Sequence, residues 1–245
     1  MPALFFLILL STAIASFAQV DDLIITTSYG KLRGFSTQSE DGQRIRIFKG
    51  VPFAQPPLGE LRWKLAQKPT PWLDVLDATK YSAACMSNST TSKSPQKTSN
   101  KCPVVVYYHG GGMNYDSAVY FNDSYLIRSF ASKGVMLVIP AYRLGFTGLL
   151  DFGDNQKYVP DNLGVHDAIE ALRFLKTEVA AFGGDFEKLA IYGHSYGATL
   201  AFVVAYSPLT MKEVSVKRLV LMSCSVSSIF IQQRENSFAT TQKRL

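Results

Sequence analysis

Two short stretches of this sequence hold residue types at spacings that could do chemistry. Gly193-His194-Ser195-Tyr196-Gly197 places a serine between two glycines. On a sharp turn from strand to helix such a serine presents its hydroxyl to an acyl carbon, and acyl transfer through a covalent intermediate is the reaction it would serve. His109-Gly110-Gly111-Gly112 is the second stretch. Consecutive glycines leave backbone N–H groups able to face a ligand, and such donors stabilise a developing oxyanion. A glycine run can also be a plain turn or a phosphate cradle, but a phosphate loop wants Lys-Ser or Lys-Thr after its last glycine, and Met113-Asn114 follows here. Gly-x-Ser-x-Gly is a weak pattern alone, so the surrounding elements decide its meaning.

Those elements are the right ones. The apolar run Leu189–Tyr192 leads directly into the serine motif, and Ala198–Ala205 leaves it as an apolar helix. At a turn that sharp the helix passes too close to the strand for a β-carbon at Gly193 or Gly197. Further continuous apolar runs at 104–108, 135–139 and 219–222 suit central parallel strands. Between the second and third strands, Val165, Ala168, Ile169, Leu172, Leu175, Val179 and Phe182 recur at helical spacing, with Asp161 or Asn162 as cap and Gly183-Gly184 as stop. The alternation predicts an α/β fold, a doubly wound and mostly parallel sheet. Upstream, Leu23–Ser28, Lys31–Arg33 and Arg44–Phe48 read as a small antiparallel lead-in. Pro52, Pro56, Pro57, Pro69 and Pro71 exclude regular structure from the next stretch, and the polar residues 86–101 read as an unstructured surface loop.

With 245 residues, 47% of them hydrophobic, the chain can bury one sizeable core, and no internal repeat or interdomain linker divides it. Its net charge of +6 is scattered in pairs such as Lys217-Arg218, which excludes a concentrated nucleic-acid patch. Residues 1–18 are uncharged, apolar from Leu4 to Leu10, and end at Ser16-Phe17-Ala18. They read as a signal peptide cleaved after Ala18, too short to span a bilayer, so the expected location is secreted or in the secretory lumen. That route makes Asn88 and Asn122 glycosylation candidates, since each opens an Asn-x-Ser/Thr sequon. Cys85, Cys102 and Cys224 form an odd set, so at least one lacks an intramolecular partner.

Taken together, these motifs resemble the type-B carboxylesterases, the family that includes the cholinesterase-like enzymes. Residues 48–62, beginning Phe48-Lys49-Gly50-Val51-Pro52-Phe53-Ala54-Gln55-Pro56-Pro57, are similar to that family's Gly-Ile-Pro-Tyr-Ala-x-Pro-Pro signature. Tyr142-Arg143-Leu144-Gly145, Asn162-Leu163-Gly164, Asp167, Phe182-Gly183-Gly184-Asp185 and Ser207-Pro208 follow in the family's order. The resemblance runs from about Gly30 to about Ser225. It implies an α/β-hydrolase-like fold truncated at the C-terminal side: a partial domain over residues 19–229 and a divergent tail over 230–245. It also implies Ser195 as nucleophile, the N–H groups of Gly111, Gly112 and Tyr196 as oxyanion hole, an Arg143–Asp167 structural ion pair, carboxylic esters as substrates, and no cofactor or metal. Oligomeric state is not fixed by it.

Three departures qualify the expected activity. In this fold the triad runs Ser, then Asp or Glu, then His, yet only 50 residues follow Ser195, and they hold Glu213 and Glu235 but no histidine. The family's residues around the serine are Glu and Ala where this chain has His194 and Tyr196. Neighbours leaving a strand point to opposite faces, so His194 is expected buried behind the turn and away from the hydroxyl; His166 belongs to the helix and His109 is structural. The family's Ser-Glu-Asp-Cys-Leu-Tyr-Leu-Asn block after the first cysteine is absent, which predicts a slot in the sheet beside Val104–Tyr108 and a poor fit for a Cys85–Cys102 linkage. The reading is an ester hydrolase by family, inactive as given. A secreted, non-catalytic binding or adhesion protein of the same fold is the alternative, and an active hydrolase with an unorthodox base the third.

Overall fold

Residues 23–81, 93–96, 101–149 and 159–224 are described in a computed structural model. The signal-peptide, Asn88, Cys85 and tail expectations fall outside them. A parallel sheet forms the centre, in the order β7-β6-β8-β9, from β6 (Cys102–Tyr108), β7 (Met136–Val138), β8 (Gly184–His194) and β9 (Leu219–Met222). β6, β8 and β9 each hold one of the apolar runs read as a strand, and β7 is the middle of the run at 135–139. The centre of the sheet is covered from both sides, as β6 shows, whereas Val220 and Met222 on the edge strand β9 are exposed. Val104, Val106 and Tyr108 join the main core, while Val105 and Tyr107 turn to a smaller cluster around Ala118, Leu137 and Ile139. That alternation follows from the two-residue period of a strand.

The helix expected from the 3.6-residue spacing is α3 (Leu163–Glu178), which puts Ala168, Ile169, Leu172 and Leu175 into the main core. Leu172 is fully buried. Its truncation to alanine would cost about 2–5 kcal/mol, the range for a deleted buried leucine. Asn162 does stand at the N-cap, but in a left-handed conformation with no side-chain capping bond. The helix start is right and the capping chemistry is not. After the serine motif, α4 (Tyr196–Tyr206) lays Leu200, Ala201 and Val204 on the same core, and α5 (Pro208–Glu213) begins with its proline in the first turn, where no N–H is needed. The short helices α1 (Asp123–Ser129) and α2 (Gly145–Leu149) complete the set.

The antiparallel lead-in is β1 (Leu23–Thr27), β2 (Gly30–Gln38) and β3 (Arg44–Lys49), with β4 (Leu76–Asp77) running parallel to β2. Its first turn is tied to the core by charge. Glu178, buried at the end of α3, accepts hydrogen bonds from the Ser28 N–H at 2.9 Å and the Ser28 hydroxyl at 2.5 Å. The proline-rich stretch contains only a single 3₁₀ turn at Gly59–Leu61 between Lys49 and β4.

Two expectations are corrected here. Lys93–Gln96, inside the stretch read as an unstructured loop, forms β5, which pairs antiparallel with β3 and packs near β7. A strand edge recruits by backbone hydrogen bonds, which polar residues make as well as apolar ones do. The slot expected beside Val104–Tyr108 is also absent, because β6 has β7 on one side and β8 on the other. Family order along the chain says which block is missing, but not which strands are neighbours across the sheet.

Candidate active site

The serine motif folds as a strained turn between β8 and α4. Ser195 has φ 56° and ψ −129°, a combination that costs a non-glycine residue free energy and persists only where its surroundings enforce it. Three contacts enforce it. The Ser195 N–H donates to the Met222 carbonyl at 2.8 Å, which fastens the turn to the end of β9. A β-carbon at Gly193 would sit 2.2 Å from the Gly197 carbonyl oxygen, and one at Gly197 would sit 2.1 Å from the Tyr108 and 2.2 Å from the His109 carbonyl oxygens. The two glycines are therefore required by close backbone approach, on the grounds read from the sequence.

The glycine loop meets this turn. Gly111 and Gly112 adopt φ of 81° and 61°, in a tight turn closed by the Asn114 N–H donating to the Gly111 carbonyl at 3.0 Å. A β-carbon on Gly110 would lie 3.1 Å from both the His194 carbonyl oxygen and Ser195 Cβ. Loop and serine thus pack face to face. No acceptor among the described residues takes the Gly111 or Gly112 N–H. Tyr196, the third expected donor, is the first residue of α4, and its ring packs against the main core, so the bulk that replaces the family's small residue is turned into packing.

His109 holds the base of the loop. Its ring is buried and stacked on Tyr142, with centroids 4.7 Å apart. The Tyr142 hydroxyl donates to the His109 carbonyl at 2.8 Å. Burial lowers the affinity of the imidazole for a proton, so the ring is neutral at neutral pH, and burial pushes the Tyr142 phenol well above its usual range. Sequence reading missed Tyr142, whose only signal was its place directly before Arg143. His109 as a structural residue agrees with expectation. His166 lies half-buried on α3, its proton affinity also lowered by burial.

Immediately after Tyr142, Arg143 forms the expected ion pair. Its Nε and Nη2 donate to the two Asp167 carboxylate oxygens at 2.7 and 2.6 Å, its N–H donates to the same carboxylate at 3.0 Å, and Nη1 donates to the Arg62 and Lys64 carbonyls. Every oxygen and most donors of this buried pair are satisfied, the condition under which such a pair is tolerated. It ties the proline-rich stretch to α3.

His194 departs from expectation. It is exposed at the mouth of the turn, with Nδ1 3.6 Å from the position of a Gly110 β-carbon, on the face of the loop that Ser195 also meets. The alternation of side chains stops where the strand does. Ser195 leaves extended geometry with a positive φ, and the expected burial of His194 behind the turn is not found. No side chain among the described residues hydrogen-bonds the Ser195 hydroxyl or the His194 ring. Among the described residues no group of three or more His, Cys, Asp or Glu could hold a metal ion. Asn122 is exposed at the N-cap of α1, its side-chain oxygen accepting from the Ser124 N–H at 2.8 Å.

Comparison with known proteins places this geometry. The model of the carboxylesterase family matches residues 21–99 and 91–244. Gut esterase 1 of Caenorhabditis elegans is 32% identical over 217 residues, 82% of this chain and 37% of that protein. Para-nitrobenzyl esterase of Bacillus subtilis is 34% identical over 196 residues, 71% of this chain and 38% of that protein. Juvenile hormone esterase from Manduca sexta, solved with OTFP covalently attached, superposes with a TM-score of 0.76 at 28% identity, covering 87% of this chain and 44% of that one. The chain thus spans less than half the length of these relatives, and its fold is that of an α/β hydrolase. With the strained serine turn and the glycine loop packed against it, this chain belongs to the carboxylesterase family.

Proposed function

We propose that this chain carries the nucleophile and oxyanion half of a serine carboxylesterase site, acting on small carboxylic esters. Ser195 attacks the ester carbonyl, and the N–H groups of Gly111, Gly112 and Tyr196 receive the developing oxyanion. The observation that supports this reading is the 3.1 Å approach of a Gly110 β-carbon position to Ser195 Cβ, which packs the glycine loop against the serine turn. The strained φ of Ser195 adds to it, since strain of this kind is kept where a side chain must be presented.

Among the described residues no side chain hydrogen-bonds the Ser195 hydroxyl, so this half of the site by itself is expected to be acylated without rapid turnover. The remainder of the reading is a secreted, glycosylated protein: residues 1–18 as signal, 19–229 as the partial domain, 230–245 as a divergent tail, and glycans at Asn88 and Asn122. No helix among the described residues is long and apolar enough to cross a membrane.

The test is to treat the folded chain with p-nitrophenyl esters and follow both released phenolate and protein mass. About one equivalent of phenolate and an acyl adduct on the Ser195 peptide are expected. An adduct confined to other residues would remove Ser195 as nucleophile, and a linear phase running far beyond one equivalent would show that turnover is intact.

A further inference from the structure

We propose that Asp116 is a positioning residue for the glycine loop, its side chain wedged against Gly111 so that the loop N–H groups keep the direction an oxyanion needs. The proposal rests on Ser195 being the nucleophile and the loop receiving the oxyanion, and it adds the residue that holds the donors in place.

Of the six residues from Gly111 to Asp116, four take a positive φ: Gly111 at 81°, Gly112 at 61°, Met113 at 56° and Asp116 at 90°. Glycine adopts such angles freely, whereas a residue with a β-carbon is strained there and stays so only where its surroundings enforce it. Met113 has its side chain in the main core. Asp116 has no such anchor, being only half-buried, so its conformation is to be explained by what its side chain touches.

The first contact is with the loop itself. A β-carbon on Gly111 would lie 2.9 Å from Asp116 Cβ and 3.4 Å from the Asp116 nitrogen. The Asp116 side chain therefore closes on the bare face of Gly111, a face that only glycine leaves open. The second contact fixes its direction, since Asp116 Oδ1 accepts the Ser117 N–H at 2.7 Å. Ser117 is buried, and its hydroxyl takes the Val119 N–H at 3.4 Å, so the carboxylate is braced by the turn that follows. Its charge also reaches the base of the loop: burial lowers the proton affinity of His109, and Asp116 acts in the opposite direction.

A Gly-Gly segment without a wedge turns its peptides over easily, and each turn would exchange an N–H for a carbonyl where the oxyanion forms. The two peptides that meet at the Gly111 α-carbon are already restrained at their oxygens. The Gly111 carbonyl accepts from the Asn114 and Tyr115 N–H groups at 3.0 and 3.2 Å, and the Gly110 carbonyl oxygen lies 3.3 Å from His109 Nδ1. Asp116 closes the remaining side, at the α-carbon between them, and neither peptide can then turn.

The experiment measures the rate at which a fluorophosphonate, whose phosphoryl oxygen takes the oxyanion position, modifies Ser195 in the full chain, with thermal midpoints recorded alongside. Wild type, Asp116→Asn and Asp116→Gly are compared by peptide mass spectrometry, with Ser195→Ala as the unlabelled control. Asp116→Asn keeps the β-carbon and an oxygen acceptor for Ser117, whereas Asp116→Gly removes both and relieves the strain. Asp116→Gly is expected to melt at or above the wild-type temperature yet label roughly 10-fold more slowly, less than the loss of about 10²–10³ when an oxyanion donor is removed outright. Asp116→Asn should recover to within about threefold of wild type, since the wedge is kept. Equal labelling of wild type and Asp116→Gly overturns the proposal while leaving Ser195 as nucleophile. Asp116→Asn as slow as Asp116→Gly overturns it too, because charge and not packing would then set the rate. So does a slow Asp116→Gly whose midpoint falls well below wild type, which would make Asp116 a support of the fold at large. No adduct on Ser195 in folded wild type overturns both this proposal and the reading it rests on.

Discussion

The serine turn is held by close backbone approach, whereas the Arg143–Asp167 junction adds a buried charge pair to the same kind of approach. At the turn, geometry is enforced by missing atoms: Gly193 and Gly197 let backbone approach backbone where any β-carbon would stand 2.1–2.2 Å from a carbonyl oxygen. At the junction Gly148 and Gly164 close on the Arg143 carbonyl in the same way, and charge is added, with a buried guanidinium gripping Asp167 in two bonds. A steric constraint has no partial form. Its loss cannot be offset by a neighbour's substitution, whereas a charge pair can be exchanged for apolar contact if both members go together.

Substitutions at the two regions break this comparison in graded ways. The largest effect is expected from Gly197→Ala, whose new β-carbon meets two carbonyl oxygens at once; a cost above about 4 kcal/mol, or no cooperative urea transition at all, is the expected result. A variant that melts like wild type would mean the turn can open. Asp167→Ala comes next, leaving Arg143 buried without its carboxylate at about 3–5 kcal/mol, while Arg143→Met with Asp167→Leu should recover most of that loss. If the double variant is as unstable as the single, apolar packing cannot stand in for the charge pair, and the contrast fails.

Smaller effects sharpen the picture. Tyr142→Phe removes the donor from the His109 carbonyl and should lower stability by about 1–2 kcal/mol in urea titrations. The buried imidazoles predict a pH dependence of definite sign. His109 and His166 have folded proton affinities lowered by burial, so the unfolded chain binds more protons. Their contribution to stability is complete above the unfolded imidazole value of about 6.5 and is lost as pH falls below it. Urea midpoints should accordingly drop between pH 7 and 5.5, and a flat profile would place both rings in water. Lys217→Ala, which removes an exposed pair with Glu187, should shift stability by less than about 0.5 kcal/mol.

The sheet was legible because its strands are short apolar runs, and burial on both faces writes itself into a sequence as continuous hydrophobicity. β5 was not legible, since Lys93–Gln96 has no such signal and its pairing depends on the edge that β3 leaves open. The site divides the same way. Ser195, Gly193, Gly197 and the glycine loop announced themselves by type and spacing. His194 was read as buried and is exposed, because strand alternation says which face a residue takes but not what covers that face at the end of the strand. Tyr142 could not be read as the clamp on the loop, since its hydroxyl reaches a carbonyl 33 residues upstream.

What the sequence determined by itself is local: which runs are strands and helices, and where glycine is the only residue a turn admits. Those follow from periodicity and from the presence or absence of a β-carbon, both carried by the residues in place. The tertiary structure decided what faces what. It set Ser195 against Gly110, tied Arg143 to Asp167, and brought an exposed imidazole to the mouth of the turn, because side-chain direction at a strained residue is fixed by the surrounding packing and not by the pattern that leads into it.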